Sequence, residues 1–137
     1  MVNKIGLDNA NSVTVAVEYA GRRVLLPGDL ESPGLDDLIA EDPYDCDILQ
    51  APHHGSRRNE PANFAAWSTP DWVVISAGAN DEVRTATAMY EGIGARVLAT
   101  NEVGLVRFGI GSDHGLRLTT WREPGLHGTT TAKRVNN

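Results

Sequence analysis

Cysteine is nearly missing from this chain. Cys46 stands alone among 137 residues, so no disulfide framework can staple the fold, and the sequence suits a reducing cytoplasm. Also missing are any apolar stretch of about 18 residues and any basic-then-apolar leader, which sets the expectation of neither a membrane span nor a signal peptide. Positive charge is scarce: 12 Lys and Arg stand against 18 Asp and Glu, for a formal net charge of −6. The basic residues are scattered apart from Arg22-Arg23 and Arg57-Arg58. That balance speaks against a broad electrostatic footprint for nucleic acid, and any contact with a polyanion must be local. No internal repeat or linker divides the sequence. With 41% hydrophobic residues it can bury a core of its own. A single domain is expected over residues 1–122, followed by a poorly ordered tail at 123–137 that is rich in Gly, Thr and Lys/Arg.

What is present reads as alternating strands and helices. After an irregular entry segment, Ser12 to Tyr19 is β-branched and partly alternating, and Ala20-Gly21-Arg22 turns it into Arg23-Val24-Leu25-Leu26, so the first two strands are expected to form an antiparallel hairpin. A short helix follows, with Ser32 as N-cap, Pro33 at its first position and Leu35, Leu38 and Ile39 on one face. Cys46 to Ala51 reads as a central strand. Glu60 to Trp67 reads as a helix with Phe64 and Trp67 turned inward, and Asp71 to Ser76 as another buried strand. Asp81 to Gly92 has Val83, Ala86 or Thr87, and Tyr90 at helical spacing. Residues 96–100, 104–109 and 115–121 complete the sheet as three strands, the last two paired through Gly111-Ser112-Asp113, with His114 as a turn residue. The expected fold class is α/β, a mixed sheet of about six or seven strands with two to three flanking helices.

The chemistry concentrates in two stretches, Pro27-Gly28-Asp29-Leu30 and Gln50-Ala51-Pro52-His53-His54-Gly55-Ser56. Each follows a run that reads as a buried strand. A carboxylate and an imidazole pair delivered at the ends of neighbouring strands offer the donors that zinc, manganese and iron accept, held rigidly with solvent access. Asp29 also has a plainer reading, a turn residue stabilised by nearby helix amides. Past the histidines, Ser56, Arg57 and Arg58 fall on the substrate side, where a guanidinium can hold a phosphate or carboxylate bidentately; a solvated surface loop is the competing reading of the two arginines. His114 and His127 fall in no ligand-like spacing.

The order Asn11-Ser12, then Pro27-Gly28-Asp29-Leu30-Glu31, then Pro52-His53-His54-Gly55-Ser56 resembles the second half of the metallo-β-lactamase-like domain found at the end of competence DNA-uptake channel proteins and in related stand-alone hydrolases. The likeness runs from about Asn9 to Thr100. It implies the C-terminal half of an αββα sandwich, with Asp29 bridging two metals and His53 or His54 as a terminal ligand. His54 is the preferred ligand, and His53, directly after Pro52, its hydrogen-bonding support. The family's first metal motif, a His-x-His-x-Asp-His cluster, has no counterpart here. Its Gly-His-Pro-like element is replaced by Asn80-Asp81-Glu82-Val83.

Two functions follow from the resemblance. One is a metal-dependent hydrolase domain acting on phosphodiesters, with Asp29 and His54 catalytic and zinc or manganese held by Asp29, His53 and His54. Its half-site would leave the metal weakly bound or absent, and the missing ligands would come from a second copy or a complementary N-terminal half. The other is a truncated relative serving as a binding or assembly module. Because a lone half exposes one sheet face, a homodimer is expected, burying alternate residues of Val13 to Val17, Val24 to Leu26 and Ile48 to Leu49; the competing reading is a self-sufficient monomer in which the helices or the Gly104 to Trp121 hairpin fold over that face.

Overall fold

The structure, a computed structural model, describes residues 9–56, 61–122 and 129–130. Strands β1 (Val15–Tyr19) and β2 (Arg22–Leu26) form the expected antiparallel hairpin, Tyr19 facing Arg22. Ala20 and Gly21, at φ 48° and 74°, close it; a two-residue turn with positive φ at both positions matches the right-handed twist of the strands it joins. From β2 onward the sheet is parallel. Helix α1 (Gly34–Ile39) leads to β3 (Ile48–Gln50), α2 (Pro61–Ser68) to β4 (Trp72–Ile75), and α3 (Asp81–Gly92) to β5 (Arg96–Ala99), giving the order β1-β2-β3-β4-β5. Parallel strands need crossover connections, and here each crossover carries a helix. The fold is therefore α/β with a mixed sheet and flanking helices, as the alternation of elements implied.

Strand register separates the residues of the sheet onto two faces. On the first, Leu25, Leu49, Val73, Ile75 and Ala99 pack under Leu35, Phe64, Trp67, Val83, Ala86 and Tyr90 from the helices. On the second, Ile48, Trp72 and Leu98 meet Leu116 and Leu118. The latter come from a second, three-stranded sheet of β6 (Val106–Ile110), β7 (Leu116–Thr120) and β8 (Thr129–Thr130).

This arrangement corrects three expectations. The last strands do not extend the main sheet: a short helix α4 (Thr100–Val103), unforeseen in the sequence, and Gly104 at φ 73° redirect the chain across the sheet face, where Phe108 meets Trp72 edge-on at 5.8 Å between ring centroids. The face assigned to a dimer is accordingly taken, Val24 and Ile48 by the hairpin and Leu25 and Leu49 by the helices. On the β1 side Val13, Val15, Val17 and Tyr19 stay exposed, with Leu26 beside them. Ser32 is not the cap of α1. Pro33 holds that position without a side-chain bond, its ring having no acceptor, and the carbonyls of Glu31 and Pro33 accept from the Leu35 and Asp37 amides. Within the tail, Thr129–Thr130 pair with β7, and the remaining residues of 123–137 lie outside the described set. Among the described residues no helix is long and apolar enough to cross a membrane.

Cys46 is buried at the entrance to β3. Burial, reinforced by the negative charges of Asp47, Asp45 and Asp71, pushes its thiol from an ordinary 9.0 up to about 12. The reactive thiolate is thereby suppressed at neutral pH. A thiol reagent such as dithionitrobenzoate is expected to leave the folded protein unmodified and to titrate one thiol in denaturant; rapid labelling of the native state would contradict the burial. The unfolded chain releases this proton near 9.0 and the folded chain only near 12. This group therefore leaves stability unchanged below pH 9 and lowers it as pH climbs through that window.

Candidate functional site

The carboxyl ends of β2, β3 and β4 lie side by side along one edge of the parallel sheet, the edge where crossover loops gather and where open α/β sheets bind ligands. The three motif stretches interlock there. Gly28 carries φ 61°, and a Cβ on it would stand 2.8 Å from Ser12 Oγ, so glycine is what lets the Ser12 hydroxyl come close. That hydroxyl accepts from the Asp29 amide at 3.2 Å, and the Gly28 carbonyl accepts from the His53 amide at 3.0 Å. The Asn-Ser element, the Gly-Asp turn and the histidine turn thus form one backbone unit.

His53 and His54 occupy a short turn, Pro52–Gly55, with φ 42° and 56°. Left-handed backbone at a residue with a Cβ costs about 1–2 kcal/mol, and two such residues in succession are over-determined by their surroundings. The His54 side chain uses the position: its Nδ1 lies 2.7 Å from the Ser76 carbonyl just after β4, and its Nε2 lies 3.6 Å from Asp29 Oδ1. A carbonyl only accepts, so Nδ1 carries the hydrogen, and a neutral His54 turns the Nε2 lone pair toward the carboxylate. Both side chains are open to solvent, His54 at 58% and Asp29 at 52%. A pair this exposed contributes about 0–1 kcal/mol, too little to offset the backbone strain. Strain of that kind clusters at functional sites.

His53 has a different partner. Its Nδ1 meets Glu31 Oε1 in a close contact, and its ring is 6.1 Å from that of His54. The three expected ligands therefore divide, with Asp29 and His54 together and His53 on Glu31. Among the described residues no group of three or more His, Cys, Asp or Glu is placed to hold a metal ion. Between the imidazoles and α3 lies a cavity of about 310 Å³ lined by His53, His54, Ser56, Ala77, Asn80 and Glu82. Ser56 is among its lining residues, while Arg57 and Arg58 lie outside the described residues. Asn80 caps α3 by accepting from the Val83 amide at 2.9 Å.

Two donors 3.6 Å apart span about the edge of a coordination polyhedron whose metal–ligand bonds are roughly 2 Å. Asp29 and His54 are the residues that would hold a divalent metal, one ligand short of the usual three.

Sequence reasoning missed Glu31 and Ser76, and it named Asn80 and Glu82 only as part of the stretch that replaces the Gly-His-Pro-like element. Glu31 was absorbed into the helix start, although its place two residues after Asp29 was a signal. Ser76 acts through its carbonyl, for which the sequence carries no signal.

No family model matches the sequence, and no solved structure matches it. Two curated proteins are similar. Competence protein ComA of Neisseria gonorrhoeae is 29% identical over 110 residues, 76% of this chain and 16% of that protein. Recombination protein 2 of Haemophilus influenzae is 32% identical over 71 residues, 52% of this chain and 9% of that protein. This chain thus matches only a small part of the length of either relative. The first similarity supports the competence-protein part of the resemblance carried by the motifs. The metallo-β-lactamase part rests on the motifs alone.

Proposed function

We propose that this chain is the C-terminal half of a metallo-β-lactamase-type hydrolase domain of the competence-protein kind, directed at phosphodiesters and incomplete by itself. The observation that carries the reading is the Asp29–His54 pair, set at adjacent strand ends with Ser76 fixing the imidazole tautomer. The similarity to proteins named for competence and recombination favours a nucleic-acid phosphodiester over other esters. A divalent metal such as zinc or manganese, when bound, supplies a hydroxide near neutral pH and polarises a phosphoryl oxygen. The chain's own part is to hold Nε2 of His54 and Oδ1 of Asp29 in place and to offer the adjoining cavity to the substrate. Its single buried thiol suits a reducing compartment such as the cytoplasm.

Calorimetric titration with Zn²⁺ and with Mn²⁺ tests this. Wild type is expected to bind weakly, and Asp29→Ala and His54→Ala to lose binding altogether. Equal affinity in all three proteins would remove both residues from the ligand set. Hydrolysis of bis(p-nitrophenyl) phosphate by the chain alone is expected to be barely detectable. Brisk, chelator-sensitive turnover abolished in Asp29→Ala would show that the site is complete without further ligands.

The missing ligands are assigned to a second copy or a complementary half docking on the β1 side. Among the described residues β1 pairs with β2 alone, and its outward row of Val15, Val17 and Tyr19 is exposed. An exposed apolar edge strand is a template for association. Light scattering across a concentration series is expected to show a mass above 14.7 kDa for wild type and a return to that mass for Val17→Glu. A wild-type mass that stays monomeric at high concentration would exclude the second copy.

A further inference from the structure

We infer that Glu31 is a positioning residue for His53, one that fixes the tautomer of this imidazole so that both neighbouring histidines present Nε2 to a ligand. The inference builds on the proposed cation site. His54 is already set, since Nδ1 donates to the Ser76 carbonyl and Nε2 is left toward Asp29. At His53 the same nitrogen, Nδ1, is engaged by Glu31 Oε1. A carboxylate accepts only, so a neutral His53 carries its hydrogen on Nδ1 and keeps its Nε2 lone pair. The His53 ring lines the 310 Å³ cavity together with His54, and with Nδ1 occupied, Nε2 is the nitrogen available to whatever enters.

The fold holds this pair on two independent anchors. The His53 amide donates to Gly28 at 3.0 Å, which fixes the histidine turn against the Gly-Asp turn. The Glu31 amide donates to the Asn9 carbonyl at 3.2 Å, which fixes the backbone that carries the carboxylate. Glu31 is also mostly withdrawn from water, its side chain 17% exposed, so the acceptor is not free to swing away. An imidazole oriented through its far nitrogen by a carboxylate is the arrangement that holds ligand histidines in place, and removal of such a carboxylate costs about 10–100-fold in metal affinity.

The test is nitrogen–proton correlation NMR of the histidine rings at about pH 9, where imidazole is neutral, on wild type, Glu31→Ala and Glu31→Gln. Wild type is expected to show Nδ1–H at both His53 and His54. Glu31→Ala is expected to convert His53 to Nε2–H while His54, held by Ser76, keeps Nδ1–H and reports that the local fold is intact. Glu31→Gln, which retains an acceptor oxygen, is expected to keep His53 as in wild type even if the alanine variant proves too unstable to study. Nε2–H at His53 in wild type, an unchanged His53 in Glu31→Ala, or a lost Nδ1–H in Glu31→Gln would each overturn the inference. Mn²⁺ titration of the same proteins gives a separate readout, with Glu31→Ala expected to bind about tenfold more weakly. A wild type that binds no Mn²⁺ would sink the cation site while leaving the tautomer result to judge Glu31.

Discussion

Asp47→Ala is expected to lower the stability of the fold by about 3–5 kcal/mol, because it strands a buried guanidinium. Arg22 begins β2 with a side chain only 6% exposed, and its Nη1 donates to Asp47 Oδ1 at 2.6 Å. The other carboxylate oxygen accepts from the Arg23 amide at 2.8 Å, so Asp47 binds β2 through side chain and backbone at once. Arg22 also donates from Nε and Nη2 to the His114 carbonyl, at 3.0 and 2.9 Å, and His114 Nδ1 returns a bond to the Ala20 carbonyl. One guanidinium thus ties the β6–β7 turn to the edge of the main sheet. Urea denaturation is expected to show a lower midpoint with an unchanged slope. Arg22→Met with Asp47→Leu should recover much of the loss, since an apolar pair leaves no buried charge uncompensated. A loss under 1 kcal/mol in Asp47→Ala would mean that water reaches Arg22. His54 lies at the opposite edge of the sheet and is expected to keep its Nδ1–H bond to Ser76 in every variant that folds.

His114 shows where the sequence ran out. It reads as a turn residue, and it is one, with φ 67°. Nothing local announces that its carbonyl receives Arg22 from 92 positions away. Local patterns carried the element order well: the helical spacing of Val83, Ala86 and Tyr90 marks α3 at its observed bounds, and Ala20-Gly21 marks the first hairpin. Whether the last hairpin joins the main sheet or folds over it stayed open, because strand alternation says which side of a strand is apolar and not which partner covers it. Leu116 and Leu118 fit an edge strand of the main sheet as well as a separate layer over Trp72.

The same division runs through the site. The approach of Asp29 to His54 was legible because each residue type bears its chemistry in the side chain and each follows a run that reads as a buried strand. Glu31 was hidden by its neighbours Ser32-Pro33-Gly34, whose helix-start signal accounted for it without the imidazole. The partition of His53 from His54 depends on two consecutive left-handed residues, a backbone state that adjacent histidines do not advertise.

Gly55→Val is expected to cost about 2–4 kcal/mol and to unseat His54. Gly55 ends the left-handed run at φ 80°, where a β-branched residue is strained by about 1–2 kcal/mol. A Cβ placed there would lie 3.0 Å from Ile75 Cγ2 and 3.5 Å from the Ala86 Cβ. Both neighbours are fully buried, one in β4 and one in α3, so neither can withdraw cheaply, and overfilling a packed core adds about 1–3 kcal/mol. The strain is relieved most easily by lifting the turn off the sheet, which carries His54 away from the Ser76 carbonyl and from Asp29. Denaturant melting is expected to record the loss of stability, and ring NMR the loss of the Nδ1–H bond of His54. Gly78→Ala is the matched control, since its Cβ would meet nothing within 4 Å and should change stability by less than about 0.5 kcal/mol. If Gly55→Val melts with wild type and keeps the His54 bond, the close seating of the histidine turn against β4 and α3 is wrong, and with it the rigidity on which the Asp29–His54 pair depends.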